Sequence, residues 1–185
     1  MGSEAEDHAR TRVPWWAIAA ITVVTFGLDL GTKQWALSAL SIGEYVPVLG
    51  EVFGFELVFN PGAAFSFASG ATWVFTTAAI VVTAVLVRLS FRLRSWGWAL
   101  VLSMLLGGTL GNLADRLFRD PGFGVGHVVD FLNYNGFFVG NVADIFIVAA
   151  AIGIAVLAFV GIPLDGRTHA PGAADAELAA EDGNE

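Results

Sequence analysis

Four stretches of this chain are too long and too apolar to be at home in water. Ser95 to Ala114 runs twenty residues without a charge, and Ile145 to Leu164 does the same. Val13 to Leu28 and Ala71 to Val87 are only slightly shorter. A helix crossing the hydrocarbon core needs ~20 mostly apolar residues. The chain therefore reads as a mainly α membrane protein, a four-transmembrane-helix bundle with spans at about 14–35, 71–88, 95–116 and 141–161. The first span continues as a helix past Asp29 and Lys33. Those charges interrupt the apolar run before any small-residue cleavage site, so it is expected to be a retained helix and not a cleaved leader. Trp15, Trp16, Trp35, Trp73, Trp96 and Trp98 fall near span ends, where amphipathic rings settle at the headgroup level.

Charge is scarce and unevenly placed. Only 14% of residues are charged, against ~25% in a typical soluble domain. The formal net charge of -8 sits mainly in the tails: residues 1–12 and 165–185 hold nine of the seventeen acids and three of the nine bases. The tail after Pro171, rich in Ala, Gly, Glu and Asp, reads as disordered and solvated. There is no cysteine, which excludes disulfides, thiolate metal sites and a Cys nucleophile. His8, His127 and His169 are too scattered for metal-ligand spacing. No metal, cofactor or nucleic acid is expected, and a monomer suffices.

Lys and Arg set the orientation. Arg10, Arg12, Arg88, Arg92, Arg94 and Arg167 lie on one side of the spans, and Lys33, Arg116 and Arg119 on the other. The positive-inside rule then puts both termini and the 88–94 loop in the cytoplasm. Between the first two spans, "VFGFELVF" alternates Phe53, Phe55, Leu57 and Phe59 with Gly54, Glu56 and Val58, the period of a half-buried strand. A small extracytoplasmic antiparallel β-sheet is expected over about 42–68. The glycine-rich stretch from Phe118 to Gly140 is expected to be irregular or a short surface helix.

The polar residues of the body converge on the extracytoplasmic ends of the spans. Asp29 and Lys33 are four apart and share a helix face. Asn60 lies in "FNPGAAFS", a turn where Gly62, Ala63 and Ala64 permit close approach. "GGTLGNLADR" puts Asn112 and Arg116 one turn apart, with Asp115 beside them, and its Gly107, Gly108 and Gly111 suit tight helix contact. Asn141 and Asp144 share a face at the start of the fourth span, and Asp130 precedes them on the outer loop. Each group alone has a structural explanation: an ion pair, a carbonyl partner, an N-cap, a dipole partner. Together they bring two acids to an apolar boundary, where repulsion and desolvation split their titration. One carboxyl then stays protonated while its neighbour can accept a proton from water. That is the chemistry of a two-aspartate protease.

These motifs resemble those of the lipoprotein signal peptidase (type II signal peptidase) family of bacteria over residues 15–162. "DLGTK" at 29–33 resembles D-x-x-[ST]-K, and "NPGAAFS" at 60–66 resembles N-x-G-A-A-F. "GGTLGNLADR" at 107–116 is similar to G-G-x-x-G-N-x-x-D-R, and "VVDF" and "NVAD" are similar to the two catalytic-Asp motifs. The resemblance implies an intramembrane aspartic endopeptidase with Asp130 and Asp144 as the dyad. It implies diacylglyceryl-modified prolipoproteins as substrates, cut before the lipidated Cys. Asn60, Gly62, Asn112, Arg116, Asn141, Asp29 and Lys33 would form the substrate-binding set. The chain would lie in the bacterial cytoplasmic membrane among its lipids, with the active site on the extracytoplasmic side. It departs from the family at Gly140, where a large apolar residue is usual, and this is expected to loosen the start of the fourth span.

A proton-coupled transporter using Asp29, Asp130 and Asp144 as a relay is the alternative. A relay needs polar groups through the depth of the bilayer, and spans two to four are read as having none at mid-membrane. A purely structural subunit would leave the clustering of polar residues unexplained.

The orientation is testable because the chain lacks cysteine. Single cysteines at Glu51, Ser90 and Ala176, probed with a membrane-impermeant maleimide on intact spheroplasts, should react at position 51 only. Labelling at 90 or 176 inverts the topology.

Overall fold

The computed structural model describes residues 12–62 and 72–164. The two tails, including the acidic stretch expected to be disordered, lie outside the described residues, as does 63–71 with Ala63, Ala64, Phe65 and Ser66. Four helices are long and apolar enough to cross a membrane. They are α1 (Trp15–Ala39), α2 (Thr72–Ser90), α3 (Trp96–Phe118) and α4 (Val142–Phe159). α3 is the hub: α1, α2 and α4 all pack on it, while α1 and α2 barely touch. Its glycines explain the fit. A Cβ on Gly107 would stand 2.7 Å from the Thr22 carbonyl oxygen of α1, and one on Gly108 2.9 Å from that of Ala143 in α4. Small residues let helix backbones close up where no hydrophobic drive exists between helices.

Four strands form one antiparallel sheet in the order β1 (Val46–Leu49), β2 (Phe53–Asn60), β3 (Val128–Tyr134), β4 (Phe138–Gly140). The period-two pattern of β2 is broken, because its pairing with β3 shifts register between Phe55 and Val58 and it buries Gly54 and Leu57. The larger correction concerns 118–140, which holds two strands of the sheet. β3 is buried from Val128 to Asn133. A strand covered on both faces shows no alternation, so periodicity is silent there. The hairpin had a signal nonetheless: Asn135 (φ 55°) and Gly136 (φ 70°) form the tight turn for which Asn-Gly is the preferred pair.

The apolar contacts fall into two clusters. One fills the bundle end remote from the sheet, around Val13, Leu93, Trp98, Leu102 and Ala150. The other joins the C-terminal end of α1 to the sheet through Ala36, Leu57, Val129 and Phe131. The charged residues of the interior lie between them.

Gly107→Ala tests the close contact of α1 and α3. The added methyl meets backbone on α1 and not a flexible side chain, so stability should fall by ~1–3 kcal/mol. Thermal unfolding in detergent measures it, and an unchanged midpoint would mean that the helices are less tightly docked.

Candidate active site

The interior polar layer is organised around one cation. Lys33 is fully buried on α1. Its Nζ lies 2.7 Å from Asp29 Oδ2 one turn earlier and 2.9 Å from Asp115 Oδ2 of α3. It also donates to Asn112 Oδ1 at 2.9 Å. Asp115 in turn pairs with Arg119 and accepts from the Val129 backbone N–H of β3 at 3.1 Å. The other Asp29 oxygen accepts from Ala143 N–H at 2.9 Å, at the start of α4. One ion cluster thus ties α1, α3, β3 and α4 together.

The two candidate acids are positioned from this cluster outward. Asp144 sits in the first turn of α4, where Asn141 is the N-cap of a reciprocal capping box: Asn141 Oδ1 accepts from Asp144 N–H at 3.1 Å, and Asp144 Oδ2 from Asn141 N–H at 3.0 Å. Asp144 Oδ1 accepts from Asn112 Nδ2 at 3.0 Å. Asn141 Nδ2 donates both to Asn112 Oδ1 at 3.1 Å and to Asp130 Oδ1 at 2.6 Å. Asn60 Nδ2 supplies the last bond, to Asp130 Oδ2 at 2.9 Å. Asn141 therefore touches both carboxylates, and every carboxylate oxygen of the pair has an amide donor. Asp130, on β3 and not on a loop, is only 2% exposed. Burial pushes its carboxyl up to about 7, and the nearby Asp144 charge adds to that; the Asn60 and Asn141 hydrogen bonds oppose both.

The remaining site residues close the α2 side. Arg116 donates to Pro61 O at 3.4 Å, and its guanidinium stands 5.6 Å from the centre of the Phe75 ring. Gly62 has φ +98°, and a Cβ there would strike the Phe75 ring. On the other side a largely apolar groove of about 530 Å³ runs along α4 from Asn141 and Asp144 past Val148 to Ile152, roofed by Tyr134, Phe137 and Phe138 of the hairpin.

The structure bears on three expectations. Asp29 and Lys33, expected in the substrate-binding set, have side chains that are 0% exposed, and they hold Asn112 and the start of α4. Beside Gly140 that start keeps its capping box. A Cβ there would lie 2.5 Å from Phe138 Cε1 and 2.8 Å from Asp144 Oδ2, so the missing side chain makes room for the aromatic roof. Mid-span polar groups do exist, the Thr83 and Ser103 hydroxyls, but neither is a charged relay group. The sequence pattern assigns Asp115 no role. Its i,i+4 spacing to Arg119 signalled one ion pair, and nothing local signalled Lys33.

A multi-pass membrane protein with two amide-tethered carboxyls beside an apolar groove has the makings of a membrane hydrolase. The Signal peptidase (SPase) II family model matches residues 21–160, and the chain belongs to that family. It is 42% identical over 169 residues to the lipoprotein signal peptidase of Leifsonia xyli subsp. xyli, covering 91% of this chain and 78% of the relative. It is 45% identical over 159 residues to that of Rhodococcus jostii, covering 86% and 78%. Among solved structures, a bacterial membrane enzyme superposes with a TM-score of 0.71 at 25% identity, covering 84% of this chain and 100% of that one.

Lys33→Met separates holding from substrate contact. It leaves two buried carboxylates without their shared cation, so stability should fall by ~3–5 kcal/mol. A stable variant with only a raised KM would return Lys33 to the substrate surface.

Proposed function

We propose that the chain is an aspartic endopeptidase that removes the signal peptide from diacylglyceryl-modified prolipoproteins, cutting before the lipid-bearing Cys. The observation that carries this reading is the Asp130–Asn141–Asp144 arrangement, in a chain of the signal peptidase II family. Charge balance supports a shared proton. Lys33, Arg116 and Arg119 face Asp29, Asp115, Asp130 and Asp144 in this layer, three cations against four acids. One protonated carboxyl makes the layer neutral.

Asp130, with its raised pKa, is the member that holds the proton and hydrogen-bonds the scissile carbonyl oxygen. Asp144, at the positive end of the α4 dipole, accepts a proton from water as the water oxygen attacks the carbonyl carbon. The Asp130 proton moves to the carbonyl oxygen, giving a neutral gem-diol. Asp144 then protonates the amide nitrogen, the C–N bond breaks, and Asp130 recovers its proton from a diol hydroxyl. The signal peptide leaves with a new carboxyl terminus and the lipoprotein with a new amine.

The groove on α4 gives an anchored substrate a way in from the bilayer, with acyl or signal-helix surface against Ile145, Val148 and Ile152. Asn60, Gly62, Asn112, Arg116 and Asn141 are the groups nearest the peptide backbone. The sheet covers the site from the extracytoplasmic side, and both termini are cytoplasmic. A monomer is enough, since one chain supplies every group named.

Asp130→Asn and Asp144→Asn should each lower cleavage of a lipidated precursor by at least ~10²–10⁴ while the protein still folds. Near-full turnover by either variant removes that residue from the dyad.

The wild-type rate should also fall as pH rises through about 7, because Asp130 loses its proton there. The sign follows from the raised pKa: the competent protonated form dominates below that value and is lost above it. A kcat that rises to a plateau at alkaline pH would reverse the two roles.

A further inference from the structure

At the bundle end remote from the sheet lies a second groove, of about 570 Å³, which the peptidase reading does not use. α1 supplies most of its wall, and α2 reaches it only through its last residue, Ser90. Ile18 and Ala19 of α1 and Leu106 of α3 line its body, and Arg12, Trp15 and Phe91 its mouth. A hydrogen bond of 3.0 Å from Val13 N–H to Leu93 O ties the entry of α1 to the α2–α3 loop, which keeps Arg12 at the mouth. Trp15 and Phe91 are well exposed there.

Among the described residues, the charge around this groove is of one sign. Arg12, Arg88, Arg92 and Arg94 stand at this end. The acids among the described residues, Asp29, Glu44, Glu51, Glu56, Asp115, Asp120, Asp130 and Asp144, all belong to the sheet-side half. An apolar slot between two membrane helices is filled by hydrocarbon, since an unfilled one forfeits dispersion contacts along its walls. A basic mouth on such a slot selects an anionic head.

We propose that this groove is a binding site for an anionic phospholipid, with an acyl chain along α1 against Leu106 and the phosphate at Arg12. Trp15 lies at the level of the headgroup, as interfacial tryptophans do. The lipid covers the α1–α3 surface that the protein leaves open, at the opposite end from the catalytic groups.

The full-length protein, purified in neutral detergent, is to be incubated with phosphatidylglycerol or phosphatidylcholine and its retained lipid counted by native mass spectrometry. Wild type should retain phosphatidylglycerol severalfold over phosphatidylcholine. Arg12→Gln should cut that preference about fivefold. Ala19→Phe, which plugs the slot, should abolish retention of both lipids, while cleavage of a lipidated precursor shows that each variant is folded. Equal retention of the two lipids by wild type overturns the proposal, as does a preference indifferent to Arg12→Gln. Unchanged retention by Ala19→Phe puts the lipid elsewhere and also overturns it. Retention of neither lipid likewise overturns it.

Discussion

Lys33 is the interaction on which the rest of the site depends. A lone ammonium in the interior of a membrane protein is costly, and Lys33 is tolerated because Asp29, Asp115 and Asn112 surround its Nζ. Those partners belong to two helices, and each passes the constraint on. Asp29 holds one first-turn backbone N–H of α4, that of Ala143, Asp115 holds β3 through Val129, and Asn112 holds Asp144 directly. The cation touches no catalytic candidate, yet it fixes the elements that carry both.

This explains why a polar layer lies between two apolar clusters. The bundle core around Trp98 and Leu102 and the sheet core around Val129 and Phe131 would each be satisfied without the other. The ion cluster joins them at a set distance and angle, which burial alone does not specify because it is non-directional. Asn141 then does for the acids what Lys33 does for the frame. It caps α4, and its amide reaches both Asp130 and Asn112. Holding both carboxyls by the same residue keeps them near each other despite their mutual repulsion.

Much of this was legible in the chain. Runs of hydrophobic residues identify the spans, since a helix in lipid must satisfy its own backbone and needs a fixed length. The Asp29–Lys33 pair, the glycines of α3 and the Asn141 cap are local features with local signatures, and each is found in the structure. β3 was not legible by pattern, because "VVDFLNY" is buried throughout and has no period. The Asn135–Gly136 turn was legible and was outweighed by the glycines around it. The depth of Lys33 was not legible, because the same spacing serves an exposed ion pair equally well.

The sequence by itself determined the number of spans, the helix faces that carry polar groups, and the pair of acids at an apolar boundary. These depend on interactions within one or two turns, or on transfer from water to hydrocarbon, which residue type and spacing encode. Only the tertiary structure decided which polar groups meet. Asn112 lies 79 residues from Lys33 and 32 from Asp144, and Asn60 lies 70 from Asp130. No spacing encodes such contacts. They follow from how the glycine face of α3 lets α1 and α4 close in, and from the register that brings the end of β2 alongside β3.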